Sequence, residues 1–563
     1  MSRLAEGSGS VTADEADGPG SGLRVVWSRS KPVRLAVETL AVLAAFSGLV
    51  VLLYARSAHD LAATSDRATI VLEGQAMASG HLLLQGWNLT FASYWTSDAP
   101  FYDAAIRLFG LRPELLYAGP AVMAALVVIS GVFIAREGCR GASAVAGGVA
   151  VIALLGLATP AMTLFFVGRG FHISTALYAL LAFGALRRGR FGWGWFLAVV
   201  LLAAGMLGDL LLVAYAVVPL VLAGVVAALR QRRWQGAVPD VSAAVVAVAL
   251  AALARRIAEA EGAFRSQAAL SLVQLGQMFS NLGHMPGYVS DLLGLTNGLR
   301  HNGGVPFGLR EVHVVGALCV LACLVAAVAT LVVGARRGVS GRLPAAGPET
   351  WRLDDILLIA AVCSAVSFVA LARADQSGVR YLTVTVVFAC VLTGRLIARG
   401  WSKLPPGGPA RVLAVVGVVV SLGFAAGVGY SLARPEPSYP VTALVSWLEA
   451  HNLRWGIGDY WAASITTVQS SGEVIVRPVA ASNGGAIQEM TTLSQSSWYT
   501  GQEWQFLVYS KPVIDNVDLD AALRTWGPPT EIHVIGPYHV LVWNHPVVLP
   551  SPAPGQIAGI EGQ

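Results

Sequence analysis

The sequence predicts a polytopic α-helical membrane protein with a small α/β domain at its C-terminal end, on the non-cytoplasmic side. Of its 563 residues 55% are apolar and only 13% charged, with a mean hydropathy of +0.63. Soluble globular chains carry about a quarter charged residues. Apolar runs near the length of a membrane span recur through the chain, and arginines cluster in the short connections between them. Those clusters fall on alternate connections, which is the positive-inside pattern of a multi-pass protein.

The runs read as about eleven transmembrane helices: Val33–Tyr54, Leu115–Ala135, Ser143–Ala158, Phe171–Leu186, Trp193–Leu207, Leu210–Leu229, Val241–Leu253, Val312–Val333, Ile356–Leu371, Tyr381–Ile397 and Val412–Ser431. Several are shorter than the roughly 20 residues a span needs. Asp209 interrupts the apolar stretch from Trp193 to Leu229, which splits into two helices meeting near the outer surface. With the N-terminus inside, every short basic cluster then lies on the cytoplasmic side. These are Arg136 and Arg140; Arg187, Arg188 and Arg190; Arg230, Arg232 and Arg233; Arg336, Arg337, Arg342 and Arg352; and Arg395, Arg399, Lys403 and Arg411. One helix across Asp209 would invert everything after it.

Residues 1–30, polar and rich in Gly and Ser, read as a disordered cytoplasmic tail, and the first apolar run as a retained helix rather than a signal peptide. Outer segments are expected at 55–114, at 254–311 and after residue 432. Within the first, Ala62–Ala78 and Phe101–Leu111 suit amphipathic helices in the membrane interface. Beyond the Pro-rich linker at Arg434–Pro437, apolar and polar residues alternate, which places an α/β domain at 433–549 ahead of a disordered end at 550–563. Its expected elements are a helix over Val441–His451, strands at Glu473–Pro478 and Gln505–Tyr509, a helix over Leu519–Trp526, and a hairpin pairing Glu531–Ile535 with Tyr538–Asn544. None of the five cysteines lies in this domain, so it folds without disulfides. Cys319 and Cys323, one turn apart in an apolar run, read as core.

The net charge of +5 comes from the membrane-flanking arginines, so no nucleic-acid partner is expected. No HExxH, CxxC, P-loop or Rossmann glycine pattern occurs, so no cofactor is assigned, and a divalent metal is left open.

The string with most chemistry is in the first outer segment, from Tyr94-Trp95 through Asp98 to Tyr102-Asp103. Two carboxylates five residues apart lie among aromatics just before a span. Asp98 is either a base of raised pKa at the lipid–water boundary or the N-cap of a helix with Pro100 in its first turn. Trp95 and Tyr102 either stack on a sugar or anchor the loop among headgroups. Arg169 and His172 either neutralise a lipid phosphate or serve to snorkel and to cap. Asp209 is an ionisable group at outer-leaflet depth, or part of an exposed turn. Arg380-Tyr381, at the mouth of a late span, suits an anionic headgroup, the alternative being that Arg380 pairs with Asp375.

These strings resemble the GT-C superfamily of polytopic glycosyltransferases, in particular bacterial relatives of protein O-mannosyltransferases and aminoarabinose transferases. The resemblance runs over Ser97-Asp98 with Asp103, Gly170-Phe171-His172, Gly208-Asp209-Leu210, Arg380-Tyr381-Leu382, and in the tail Gly458–Ala463 and Ser471–Val476. Ala99 follows Asp98 where many relatives carry a second acid. The resemblance implies transfer of a sugar from a polyprenyl-phosphate donor to a glycan, lipid or protein acceptor of the cell envelope, at the outer face of the plasma membrane and with inversion. Residues 31–432 would form the GT-C-like transmembrane domain. Asp98 and Asp103 would be catalytic, and Arg169, His172, Arg380 and Tyr381 would hold the donor phosphate. Trp95, Tyr102, Asp209, Asp459, Tyr460 and Trp461 would bind substrate. The other classes the sequence admits are a transporter or flippase of lipid-linked saccharides, which would call for internal repeats, and a non-catalytic envelope scaffold.

Overall fold

The computed structural model describes residues 31–169, 172–187, 191–266, 271–296, 308–340, 349–371, 378–405, 407–436, 438–481, 484–513 and 515–550. Both expected disordered ends, and Arg188, Arg190, Arg342 and Asp375, lie outside the described residues. The chain divides into two compact units, residues 1–47 and 48–563, and the outer layer described below belongs to the second.

Helix α1 (Lys31–Asp60) carries the first apolar run. The first outer segment folds into α2 (Ser65–Ala78), β1 (Trp87–Leu89) and α3 (Ala99–Phe109). Then come α4 (Leu115–Arg136), α5 (Gly141–Val151), α6 (Pro160–Thr163), α7 (Ile173–Ala185), α8 (Trp193–Gly208), α9 (Val218–Gln231) and α10 (Val238–Ala260). The middle segment contributes β2 (Arg265–Ser266) and α11 (Leu275–Leu292), and α12 (Leu309–Ser340), α13 (Glu349–Leu371), α14 (Val379–Trp401) and α15 (Gly408–Leu432) follow.

Among the described residues eight helices are long and apolar enough to cross a membrane, fewer than the eleven straight spans expected. The three remaining apolar runs are helical but differently built. The third continues past Gly156 and bends by 72° into Pro160–Gly168. Pro160 starts the new turn there, with Thr159 accepting from the Met162 amide as N-cap. Helices α7 and α8 have 13 and 16 residues, about 20 and 24 Å at 1.5 Å per residue, short of the roughly 30 Å hydrocarbon core. The break at Asp209 stands: α8 ends at Gly208 and the next span runs from Val213 to Gln231.

The tail folds as α16 (Pro440–Ala450), β3 (Trp455–Gly458), α17 (Tyr460–Gln469), β4 (Ile475–Ala481), β5 (Ile487–Glu489), β6 (Ser494–Gln495), β7 (Trp504–Ser510), α18 (Leu519–Trp526), β8 (Glu531–Ile535) and β9 (Tyr538–Val547). Its six-stranded sheet has the order β5-β4-β3-β7-β9-β8, with β3 parallel to both β4 and β7. Both expected strands, both helices and the closing hairpin are present. Strand β3 and helix α17 are additional. Gly456 and Gly458 in β3 admit no side chain, because a Cβ would lie 2.3 Å from the Phe506 ring and 2.7 Å from Val508.

A second sheet joins the outer segments. β1 pairs in parallel with β2 and antiparallel with β6, so one strand each comes from the first segment, the middle segment and the tail. All three therefore lie at the same face of the bundle. Helix α2 does not lie in the interface with one apolar face, as its amphipathic pattern suggested. It is buried on nearly all sides, packed against α3 and α17. Arg67, buried in α2, donates to the carbonyls of Leu116 (3.0 Å) and Val167 (2.7 Å) and so ties the helix to the bundle.

At the opposite end, arginines that mark the cytoplasmic side in the sequence are paired inside the bundle. Arg395 and Arg399 both bind Asp354, Arg230 binds Asp355, and Arg352 binds Asp240. These bridges clamp α9, α10, α13 and α14 together. Removing one partner of a buried pair strands the other and costs about 3–5 kcal/mol. Asp354→Ala should therefore lower the melting temperature in detergent sharply, and Asp354→Leu combined with Arg395→Met and Arg399→Met should restore most of it. Equal melting of Asp354→Ala and the parent protein would show that the bridge does not hold the bundle.

Candidate active site

The first outer segment is stitched onto the break between α8 and the following span. The Tyr94 amide donates to the Gly208 carbonyl (2.8 Å), the Leu210 amide to Phe91 (3.4 Å), and Ala92 bridges Asp209. Thr96 Oγ1 donates to the Ala204 carbonyl at 2.5 Å, and the Tyr178 hydroxyl to Thr96 at 2.8 Å. Glycine at 208 permits the approach, since a Cβ would sit 3.0 Å from Ser97 Oγ and 3.1 Å from Thr96 Oγ1.

This stitching presents Asp98. It occupies the N-cap position of α3, but its side chain does not cap. Oδ2 instead accepts from Ser97 Oγ at 2.8 Å and from Ser174 Oγ, on α7, at 2.5 Å. The residue is half-buried. Burial pushes its pKa up to about 6 and the Asp209 charge adds to this, while the two serines and His172 pull the other way.

Beside it, Asp209 Oδ2 accepts from His172 Nδ1 at 2.6 Å and from the Thr175 hydroxyl, and Oδ1 accepts from the Leu211 amide at 3.0 Å. Burial alone would raise this carboxyl. The His172 ring and the three hydrogen bonds outweigh it and hold Asp209 below the usual carboxylate range. It is buried, not part of an exposed turn. With Nδ1 committed to Asp209, Nε2 is the His172 nitrogen left for chemistry. The ring stacks on Tyr381, centroids 5.2 Å apart, and the Arg380 guanidinium lies 5.3 Å from the Tyr381 centroid.

Asp98, His172, Asp209, Arg380 and Tyr381 thus come together from four separate parts of the chain. The other sequence candidates do not join them. Asp103 pairs with Arg107 one turn on (2.6 Å), and Arg107 also binds the Met77 carbonyl, fastening α3 to α2. Tyr102 is core rather than a stacking surface: Cβ atoms at Gly74 or Gly119 would lie 2.3 and 2.1 Å from its side chain. Trp95 donates to the Leu82 carbonyl at 2.7 Å and meets Phe264 edge-on, which anchors the loop. Asp459 caps α17 and accepts from Ser510 Oγ at 2.8 Å. The Tyr460 hydroxyl donates to Asp66 at 2.6 Å, docking the tail on α2, while Trp461 lines a separate cavity. The side chain of Arg169, with Gly170 and Phe171, lies outside the described residues.

Sequence reasoning missed Ser174 and Thr175, a polar pair just after His172 in an apolar run, and that contrast was the available signal. It also missed Glu73, a buried carboxyl on α2 raised well above its ordinary value by burial and then by the Asp98 charge. Among the described residues no three His, Cys, Asp or Glu side chains gather where a metal ion could be held.

No family model matches the sequence. No curated protein matches it. Solved structures do. ArnT from Cupriavidus metallidurans, bound to undecaprenyl phosphate, aligns over 91% of this chain and 98% of its own, with a TM-score of 0.50 and 12% identity. The Archaeoglobus fulgidus oligosaccharyltransferase in complex with Zn and sulfate aligns over 83% of this chain and 68% of its own (TM-score 0.43, 12% identity). The oligosaccharyltransferase AglB from the same organism, with an inhibitory peptide and a dolichol-phosphate, covers 84% and 70% (TM-score 0.41, 12% identity). At such identities a likeness bears on architecture alone, and here the likeness to ArnT extends over both the spans and the tail. This chain shares the polytopic membrane fold of ArnT.

Proposed function

We propose that the protein is a membrane glycosyltransferase that moves a sugar from a polyprenyl-phosphate-linked donor to a cell-envelope acceptor at the extracytoplasmic face. The observation that carries this reading is the placement of Asp98. Among the described residues its carboxyl is bound by two hydroxyl groups, and burial pushes its pKa up to about 6. A general base works best with its pKa near the operating pH. ArnT, bound to undecaprenyl phosphate, shares the fold and supplies the analogy for the donor.

In this reading the donor tail lies between spans and its phosphate sits by Arg380, at the outer end of α14. Asp98 takes the proton of the acceptor hydroxyl as that oxygen attacks the anomeric carbon. The C–O bond to the phosphate breaks on the opposite face, which gives inversion. Arg380 neutralises the departing phosphate. Asp209 fixes the His172 ring, and Tyr381 stacks against it to complete the phosphate side.

Asp98→Asn keeps the size and both serine contacts but cannot take a proton. Transfer of label from radiolabelled polyprenyl-phosphate sugars to envelope extracts should fall about 10²–10⁴-fold, the range a general base supplies, with expression unchanged. Asp103→Asn should retain most activity, since it breaks only an exposed pair with Arg107. Full activity of Asp98→Asn removes Asp98 as the base.

The base must be ionised, so transfer should rise with pH through about 6, the value at which Asp98 loses its proton. Ser174 stabilises the carboxylate by donating to it. Ser174→Ala should therefore move the acid limb of the pH profile to higher pH. A shift to lower pH, or none, contradicts the assignment.

A further inference from the structure

A cavity of about 300 Å³ opens at the seam between the membrane bundle and the tail domain. That volume is at the small end of the usual range for ligand pockets. None of the residues gathered around Asp98 lines it. Its walls come from the outer end of α1 (Tyr54), the start of α4 (Glu114 and Tyr117), the linker before α16 (Glu436 and Tyr439) and the first turn of α17 (Trp461).

Two features give the cavity a chemistry. The aromatic walls are held in place. Tyr54 and Tyr117 meet edge-to-face at 6.4 Å, the Tyr439 hydroxyl donates to the His59 carbonyl at 3.2 Å, and the Trp461 carbonyl accepts from Ser65 Oγ at 2.9 Å. Rigid aromatic faces beside hydrogen-bonding groups suit a ring that is apolar on its faces and polar at its rim. The charged groups lining it are acidic: Glu114 and Glu436, and among the described residues no Lys, Arg or His lines the cavity. A carboxylate pair repels an anion and accepts from hydroxyl or ammonium donors.

We propose that this cavity binds a sugar ring of the acceptor, one bearing hydroxyl or ammonium donors and no phosphate. The inference rests on the glycosyltransferase reading for the word acceptor, and it separates the two substrates by charge. The anionic donor goes to the Arg380 side and the uncharged or cationic glycan to the seam. A sugar held here lies remote from the reacting hydroxyl, where its binding energy positions the acceptor for attack.

The test uses the full-length protein in nanodiscs, titrated with glucosamine and with glucose 6-phosphate and followed by saturation-transfer NMR. Glucosamine should bind at least tenfold more tightly than glucose 6-phosphate. The double variant Glu114→Gln, Glu436→Gln, altered only at exposed positions, should weaken glucosamine at least tenfold, and Trp461→Ala should do the same. Binding of undecaprenyl phosphate, measured on the same samples, should be unaffected by these substitutions and lost in Arg380→Ala. Equal binding of the two sugars, or glucosamine binding untouched by the double variant, overturns the inference while leaving undecaprenyl-phosphate binding to speak for the donor site. Failure of undecaprenyl phosphate to bind the parent protein sinks the donor reading instead, whatever glucosamine does.

Discussion

The rest of the structure depends on a short piece of backbone pairing, the sheet in which β1 receives β2 on one edge and β6 on the other. Each strand comes from a different outer segment, so three stretches separated by hundreds of residues are fixed on one face of the bundle. The pairing is brief, and buried side chains reinforce it. Trp87 in β1 is packed edge-on against Trp498, just after β6, with centroids 4.9 Å apart. Helix α2 then works as a wedge, tied by Arg67 to the bundle below and by Asp66 and Ser65 to the tail above. With the wedge in place, α3 has one seat, and Asp98 at its start is delivered to Ser174.

Charge is handled differently at the two ends of the bundle. At the end that carries the arginine clusters, Asp240, Asp354 and Asp355 each meet at least one arginine, and the bridges serve cohesion. At the other end the partners differ. Among the described residues Asp98 has hydroxyl donors, and Asp209 a histidine, a hydroxyl and an amide. The aspartates at one end are held by guanidinium groups, and those at the other by hydroxyl, imidazole and amide donors. The difference in partners, arginine at one end and hydroxyl donors to Asp98 at the other, distinguishes the two clusters.

Much of this was legible in the sequence where a single period dominates. Long apolar runs between arginine clusters gave the membrane architecture, and alternation gave β7, β8 and β9. The expected runs that fall short of a full span are the ones that form the bent third run and the short helices α7 and α8. Strand β3 was hidden because two of its four residues are glycines, present for close packing against Phe506 and Val508. Asp98 was visible as a carboxylate among aromatics, but its partners are on α7, 76 residues away in the case of Ser174, and no local pattern reports such a contact. Tyr102 shows the converse: an aromatic beside an acid reads as a binding surface, yet glycines 74 and 119 make a slot that buries it. The amphipathic look of α2 also misled, since polar residues that suggested solvent are hydrogen-bonded inside the outer layer.

The central claim is that the segment bearing Asp98 and the tail domain are joined in one compartment through β1 and β6. Asn88 and Ser494 are direct partners in that ladder, and the Cα separation of such antiparallel pairs falls within the span a disulfide bridges. Cysteines at both positions, Asn88→Cys with Ser494→Cys, should close on mild oxidation of intact wall-stripped cells and shift the protein's mobility on a non-reducing gel. Two thiols that stay apart, with one labelled only after the membrane is permeabilised, would contradict the account.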